Sequence, residues 1–430
     1  MNPLLAAIGM GLTVLVTIGL AAYSSRLART TGDFYVASRS VPAWWNASAI
    51  AGEYLSAASF LGVAGLIMVG GADAVWFPVG YAVGYVLLLA LVAAPLRRSG
   101  AYTLPDFAEA RLRSRTVRVI ASALVVLIGW LYVLPQLQGA GLSLQILLDT
   151  PVWVGGLLVS VTVLVVIVGG GMRSVTFVQG FQYWLKVVAI MVPVLFLLAV
   201  WRADSNPSPL SEAPPTFREQ TTVTMRVDTE VTVPQAVDVG VDGAQQRWEV
   251  GTRTVPADSV VVFPAGSQVP HLATTTILTG STWAQALQGG QEHALYRTYA
   301  LMFALFLGTM GLPHVLVRFY TNPDGRQARR TALVVIGLVG LFYLAPSVYG
   351  MLGRLYAPEL LMTGRTDAVV LLLPQAMVSG VVGEWLTALV SAGAAAAFLA
   401  TATGLTVTVA GVLSQDVVSR RVQDPIVAFR

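Results

Sequence analysis

The sequence predicts an all-α polytopic membrane protein that carries a β-rich extracytoplasmic insert. Of its 430 residues, 55% are hydrophobic and only 11% are charged, whereas soluble domains carry about 25% charged residues. The apolar residues cluster in nine runs, each long enough to approach the roughly 20 residues that cross a bilayer core. Alternating polar and apolar residues between the sixth and seventh runs predict the strands of the insert.

The nine apolar runs are predicted to be membrane-spanning helices. They cover residues 3–23, 41–70, 73–95, 117–147, 151–171, 174–201, 295–317, 331–354 and 383–414. Arg26 and Arg29 follow the first run, and no basic segment precedes it. This order favours a leading spanning helix over a cleaved signal peptide.

Arginine placement predicts the orientation of the spans. Seventeen arginines fall on one side of the membrane, in segments 24–40, 96–118, 172–175, 318–330 and 415–430. The short loops on the other side carry only Arg354 and Arg365. Because positive charge is retained in the cytoplasm, we expect the N-terminus outside and the C-terminus inside the plasma membrane of a prokaryote.

The segment 202–294 differs from the spans in composition. It contains ten Asp and Glu against five Arg, together with alternating stretches such as "TVTMRVDTEVTV" and "DSVVVFPAG". This alternation predicts short β-strands. We expect the segment to be a solvated extracytoplasmic cap.

Two of the apolar runs carry signs of interruption. The run 41–70 is too long for one straight span and contains "IAGEYLSAASFLGVAG", and the run 295–317 contains Gly308, Gly311 and Pro313. Proline inside a helix removes a hydrogen bond and clashes with the preceding turn. After the leading helix these are the first and sixth spans, where two inverted five-helix repeats would each begin. Close packing of small residues is the alternative explanation.

Four separated motifs resemble the sodium:solute symporter family. They are "GEYLSAASFLG" (52–62), "YTLPDFAEAR" (102–111), "LGTMGLPHVLVRFYT" (307–321) and "TGLTVTVAGVLSQDV" (403–417). The likeness is closest to its cation–acetate and actinobacterial monocarboxylate symporters. It implies an inverted-repeat sodium symporter fold with a leading helix and core helices one to eight.

This resemblance implies four segments: 1–201 as leading helix and first repeat, 202–294 as insert, 295–417 as incomplete second repeat, and 418–430 as cytoplasmic tail. The last two core helices of the family are absent from the sequence. We therefore expect a truncated form of a longer protein, with a shortened protein of changed role as the alternative.

The resemblance also implies a sodium ion, Na⁺, as the coupling ion. Its ligands would be the carbonyls of Gly52, Leu55 and Ala397 and the hydroxyl of Thr401. The family usually has a hydroxyl where this sequence has Ala400, so one ligand is missing. Water could replace it, or a proton could be the coupling ion instead.

The substrate is expected beside the first interruption. Unwound backbone offers carbonyls to a cation, while the half-helix that follows offers N–H groups to an anion. A small monocarboxylate would then bind near the N–H groups of Ser56 and Ala57. Gln136, Thr309 and Gly311 are further candidates for substrate binding.

Four of the titratable residues in or beside the apolar runs are candidates for a role in the site. We expect Glu53 to take part in ion coupling or to brace the break, with an interhelical pair as the alternative. His314 is expected to bond a backbone carbonyl, with a proton-relay or substrate-binding role as the alternative. Arg318 is expected to snorkel to the cytoplasmic interface. Lys186, the only lysine, is expected to pair with an acid, to snorkel, or to act in coupling.

The predicted function is secondary active transport, namely sodium-coupled uptake of acetate, propionate or pyruvate across the lipid bilayer. The alternatives are a non-transporting sensor on the same fold, a symporter for another solute, and coupling to protons. The sequence has no cysteine and no P-loop, zinc motif or nucleophile triad. We therefore expect no enzyme activity, no organic cofactor and no nucleic-acid partner.

Overall fold

The predicted apolar runs are helical in the part of the chain that the structure describes. This computed structural model describes residues 3–26, 31–204, 207–208, 210, 214–287 and 293–415. The tail 418–430 lies outside them. Before the insert the helices are α1 (Pro3–Ser25), α2 (Thr31–Val36), α3 (Ala43–Tyr54), α4 (Val63–Gly70), α5 (Trp76–Leu87), α6 (Ala93–Arg98), α7 (Leu104–Leu112), α8 (Arg115–Leu148) and α9 (Val152–Ala203).

The helices after the strands are α10 (Gly280–Ala284), α11 (Ala294–Gly311), α12 (Pro313–Arg318), α13 (Gly325–Tyr356), α14 (Glu359–Thr363), α15 (Val369–Met377) and α16 (Gly380–Leu413). Among the described residues, six helical stretches are long and apolar enough to cross a bilayer, and the bent pair α11–α12 makes a seventh. Nine runs were predicted. Two predicted runs account for the difference. The runs 41–70 and 73–95 correspond to the short helix α3 and one continuous helical stretch, Ala58–Arg98. The run 151–171 corresponds to Val152–Val168, which has only 17 residues.

Helix α9 contains a sharp change of direction at Gly171. This residue has φ +58° and ψ −153° in a stretch that is otherwise helical. Residues with a side chain rarely adopt this left-handed region, so glycine is suited to the position. The kink lies at the predicted boundary between the runs 151–171 and 174–201.

The insert contains two antiparallel sheets. The strands are β1 (Thr221–Thr224), β2 (Thr229–Val233), β3 (Val237–Val241), β4 (Ala244–Trp248), β5 (Gly251–Val255), β6 (Val260–Phe263) and β7 (His271–Leu272). One sheet has the order β1-β6-β3-β4 and the other β5-β2-β7. Trp248, Phe217 and Phe263 are buried in an apolar cluster of the insert. The predicted strands of this segment are therefore present.

Helix α16 is the most deeply buried span. It packs against α1, α8 and α9, and α9 also packs along α3. The stretch Gly393–Gly404 is buried at every position, and small residues predominate in it. Such residues let helix backbones approach closely in a membrane. The consequence is that α3, α9 and α16 meet around the interruption that follows α3.

Candidate functional site

Helical hydrogen bonding stops where α3 ends. The Leu55 N–H donates to the Ala51 carbonyl (3.0 Å), but the Ser56 N–H donates to the Tyr54 carbonyl (2.8 Å). In a continuous helix the Ser56 N–H would donate to the Gly52 carbonyl. Leu55 itself is outside the helical region, with φ −72° and ψ 82°. The predicted interruption of the first core helix is therefore present, and it frees the Gly52 carbonyl.

Gly52 is also a point of close helix contact. A Cβ atom added at this position would collide with the carbonyl oxygen of Gln179 on α9. Glycine thus allows the end of α3 to lie directly against α9. This contact brings the free carbonyl within reach of α9 side chains.

The ammonium group of Lys186 fills the space beside the break. Its Nζ donates to the carbonyl of Leu55 at 2.9 Å and to the carbonyl of Gly52. Lys186 has no exposed surface. The interpretation that Lys186 snorkels is wrong, because the side chain is fully buried. Its hydrogen bonds go to two backbone carbonyls, and its charge interacts with the Glu53 carboxylate without a direct hydrogen bond.

The remaining expected sodium ligands lie on α16. The Thr401 hydroxyl donates to the Glu53 carbonyl at 2.6 Å, and Ala397 is buried one turn earlier. The Ala400 carbonyl accepts a hydrogen bond from Gln179 Nε2 at 2.7 Å. The structure therefore brings the first break and Thr401 together as expected. It does not offer a free set of oxygens, because Lys186 bonds two of the four predicted ligands.

Glu53 forms an ion pair inside the protein. Arg318 Nε lies 2.7 Å from Glu53 Oε2, and both side chains are fully buried. The other guanidinium nitrogens donate to Thr176 Oγ1 (2.6 Å) and to Gln179 Oε1. The prediction that Arg318 snorkels to the interface is wrong, because its side chain is fully buried and pairs with Glu53. Without this partner the buried Glu53 carboxylate would be strongly unfavourable. The interhelical pairing considered for Glu53 is present.

The second interruption separates α11 from α12. The two helices meet at an angle of 41°, and Pro313 is the first residue of α12. Proline fits that position because the first N–H of a helix has no intrahelical partner. The hydroxyl of Thr309, near the end of α11, lies 3.3 Å from the Tyr54 hydroxyl at the end of α3. The two predicted interruptions therefore lie close together.

His314 lies just after the second interruption and is fully buried. Its ring centroid is 5.5 Å from that of Tyr132 on α8. Neither ring nitrogen has a hydrogen-bond partner among the described residues. The expected bond to a backbone carbonyl is therefore wrong for His314, and its two nitrogens remain available to a polar group.

Two of the predicted substrate residues, Ser56 and Ala57, lie where the helix resumes after the first break. The Ala57 N–H donates to Gln136 Oε1 at 3.1 Å, and Gln136 Nε2 donates to the Tyr132 carbonyl at 3.3 Å. The Ser56 hydroxyl is buried and lies beside the Tyr132 phenol of α8. Gly311 lies at the exposed end of α11. The Ala57 N–H is thus paired with an oxygen acceptor that the protein itself supplies.

Thr176 and Gln179, which bond Arg318, belong to the site although no motif in the sequence marks them. Together with Lys186 they lie on one side of α9, at spacings of three and seven residues that match helical periodicity. All three are buried. A stripe of polar residues in an otherwise apolar span was the available signal for an interior polar cluster.

A bundle of spanning helices with two interrupted members that meet at buried polar groups is the architecture of a multi-pass secondary transporter. The model of the sodium:solute symporter family matches residues 34–247 and 259–424. The chain therefore belongs to the sodium:solute symporter family. This confirms the resemblance found in the four motifs.

Two curated relatives match almost the whole chain. A monocarboxylic acid transporter of Corynebacterium glutamicum is 31% identical over 432 residues, covering 97% of this chain and 67% of the relative. An uncharacterized symporter of Bacillus subtilis is 28% identical over 412 residues, covering 96% of this chain and 67% of the relative. These relatives support solute symport as the class of activity.

One solved structure has the same fold. It is the substrate-bound outward-open state of a Na⁺-coupled sialic acid symporter, with a TM-score of 0.64 and 13% identity, covering 99% of this chain and 76% of that chain. The likeness confirms the sodium symporter fold predicted from the sequence. The family and the fold are those of transporters.

Proposed function

We propose that this protein takes up short monocarboxylates, such as acetate, propionate and pyruvate, across the plasma membrane by coupling to a cation gradient. Sodium is the coupling ion that the family suggests, and a proton is the alternative. The observation that carries the substrate class is the charge of the buried cluster. Two cationic side chains, Lys186 and Arg318, face one carboxylate, Glu53, and all three are fully buried.

This imbalance favours an anionic substrate. A buried positive charge in excess attracts an anion more strongly than it would in water, because screening in the interior is weak. The interrupted helix adds N–H groups and the positive end of a half-helix dipole at the same place. A small carboxylate supplies the single negative charge that the cluster lacks.

We place the substrate carboxylate at the Ala57 N–H. Gln136 Oε1 accepts from this group at 3.1 Å, so a carboxylate oxygen would take the place of the glutamine oxygen. The buried Ser56 hydroxyl offers a second donor. Thr309 and Gly311, at the end of α11, are proposed to line the opposite side.

The helices around Ala57 are packed closely, which disfavours a bulky substrate at this position. A Cβ atom added at Gly139 on α8 would lie 3.2 Å from the Ala57 Cβ and 3.2 Å from the Phe398 ring. The helices are therefore already in close contact around this position. This packing supports acetate, propionate or pyruvate rather than a bulky solute.

Uptake of radiolabelled acetate and pyruvate into proteoliposomes tests the proposal. We expect uptake under an imposed sodium or proton gradient, and its loss in Ala57→Leu. The matched control is Ala22→Leu, because Ala22 is exposed on α1. Uptake that persists in Ala57→Leu would overturn the placement of the carboxylate. Absence of monocarboxylate uptake under both gradients would overturn the substrate class.

We further propose the orientation and segment boundaries that the sequence predicts. The N-terminus is outside, the segment 202–294 forms an extracytoplasmic insert, and the segments 1–201 and 295–417 contribute the two repeats. The excess of arginine in the segments predicted to be cytoplasmic supports this arrangement. Glu53 and His314 are proposed to act in coupling or in bracing the site, since both are fully buried next to the interruptions.

A further inference from the structure

The strongest unassigned feature is the contact between Lys186 and the first break. Gly52 and Leu55 present the carbonyls that the family resemblance implies as sodium ligands. Both carbonyls instead accept hydrogen bonds from Lys186 Nζ, with 2.9 Å to Leu55. A lysine ammonium carries the same unit charge as a sodium ion and has three donors for oxygen acceptors.

We propose that the Lys186 ammonium is a built-in cation that occupies the position of a sodium ion at this break. The charge that stabilises the freed carbonyls is then part of the protein, and no sodium ion binds at Gly52 and Leu55. Sodium that drives transport would bind elsewhere in the molecule. This inference concerns ion binding and does not depend on which solute is carried.

The oxygens around the break agree with this assignment. The Thr401 hydroxyl donates a hydrogen bond to the Glu53 carbonyl at 2.6 Å. Ala400 supplies no hydroxyl, and its carbonyl accepts from Gln179 at 2.7 Å. A hard cation prefers several oxygen ligands, and at this break the Gly52 and Leu55 carbonyls are already bonded to Lys186.

The surroundings also hold the ammonium in place. Lys186 is fully buried in α9, so its charged group cannot reach water without a change in the bundle. Glu53, the buried acid nearest in the chain to the break, is already paired with Arg318 at 2.7 Å. A sodium ion at the same carbonyls would meet the lysine charge at contact distance. Like charges in a poorly screened interior repel strongly, so the two cations exclude each other.

Equilibrium binding of radiolabelled sodium to the purified protein tests the proposal without any substrate. Four proteins are compared: the unmodified chain, Lys186→Ala, Lys186→Met and Thr401→Val. Alanine opens the space beside the carbonyls, whereas methionine removes the charge and keeps the space filled. We expect Lys186→Ala to bind one additional sodium ion that the unmodified chain and Lys186→Met do not bind.

Thermal unfolding in sodium chloride and in choline chloride gives a second readout, because a bound ligand stabilises the folded state. We expect sodium to raise the unfolding temperature of Lys186→Ala more than that of the unmodified chain. Equal sodium stoichiometry in the two proteins would overturn the proposal. If Lys186→Ala does not fold, Thr401→Val decides the matter. If Thr401→Val binds as much sodium as the unmodified chain, the result supports Lys186 as the built-in cation. If Thr401→Val binds less sodium than the unmodified chain, sodium occupies the break and the proposal is overturned.

Discussion

Arg318 Nε donates to Glu53 Oε2 across 2.7 Å, and neither side chain has any exposed surface. Glu53 lies at the end of α3 and Arg318 at the end of α12, so the ion pair connects the two interrupted helices. Arg318 also donates to Thr176 and Gln179 of α9. The pair therefore fixes the relative position of three helices that surround the proposed site.

Removal of Arg318 is expected to destabilise the protein strongly. In Arg318→Met the Glu53 carboxylate is left buried without its partner, which costs about 3–5 kcal/mol in other proteins. The free energy of unfolding measured by denaturant titration in detergent checks this. In the double variant Glu53→Gln, Arg318→Met neither member of the ion pair is left buried without its partner, so we expect it to be more stable than Arg318→Met. A double variant that is less stable than the single one would contradict this account of the pair.

Gly404 is expected to tolerate no side chain. A Cβ atom at this position of α16 would collide with the Glu53 carboxyl group. We expect Gly404→Ala to lower the free energy of unfolding by about 1–3 kcal/mol, the usual cost of overpacking. Gly337→Ala on α13 is the control, since no atom lies within 4 Å of an added Cβ there. Equal stability of the two variants would show that the Glu53 position is not constrained by α16.

Gln136 is expected to compete with the substrate carboxylate. Gln136→Glu would place a fixed negative charge at the Ala57 N–H, where the substrate anion is proposed to bind. We expect its KM for pyruvate to rise by about tenfold or more, which corresponds to ~1.4 kcal/mol of binding. Gln136→Met is the matched uncharged control and should retain a lower KM than the glutamate variant. Similar KM values in the two variants would count against the proposed position of the carboxylate.

The absence of cysteine from the chain makes the orientation easy to test. Single cysteines can be placed at Gln246 in β4 and at Arg329 near the start of α13, both exposed. We expect a membrane-impermeant maleimide to label Gln246→Cys on intact cells and Arg329→Cys only after the membrane is opened. The reverse pattern would contradict the predicted N-terminus outside.

Asp204, just after α9, is expected to give a small pH-dependent contribution to stability. A hydrogen bond from Arg218, with a further one from Tyr356, lowers the pKa of the Asp204 carboxyl below its usual value. A lowered folded-state pKa stabilises the protein above the unfolded-state pKa of about 4, and this contribution is lost as the pH falls through the folded-state value. The effect is small because the pair is exposed and screened by solvent.

The thermal unfolding midpoints of the unmodified chain and Asp204→Asn check this contribution. We expect the unmodified chain to be slightly more stable at about pH 7, and the difference to shrink as the pH falls below about 4 towards the lowered folded-state pKa. A difference that stays constant over this range would show that the Asp204 charge is not involved.

The two interruptions could be predicted because their causes are local. Gly52 lies in a run too long for one span, and Pro313 cannot continue a helix in the ordinary way. Arg318 could not be placed correctly, because arginine beside a predicted cytoplasmic loop is expected to snorkel. Only the fold shows that Glu53 approaches it from α3. The same holds for Lys186, whose partners are backbone carbonyls more than 130 residues earlier in the chain.

The measurement that tests the proposed substrate site most directly is isotope counterflow. Proteoliposomes loaded with unlabelled pyruvate are placed in trace labelled pyruvate without any ion gradient, so that only binding and exchange are measured. We predict transient accumulation of label, competition by acetate and propionate, and loss of accumulation in Ala57→Leu but not in Ala22→Leu. Accumulation that is unaffected by Ala57→Leu, or that acetate and propionate do not reduce, would contradict a short-monocarboxylate site at the first interrupted helix.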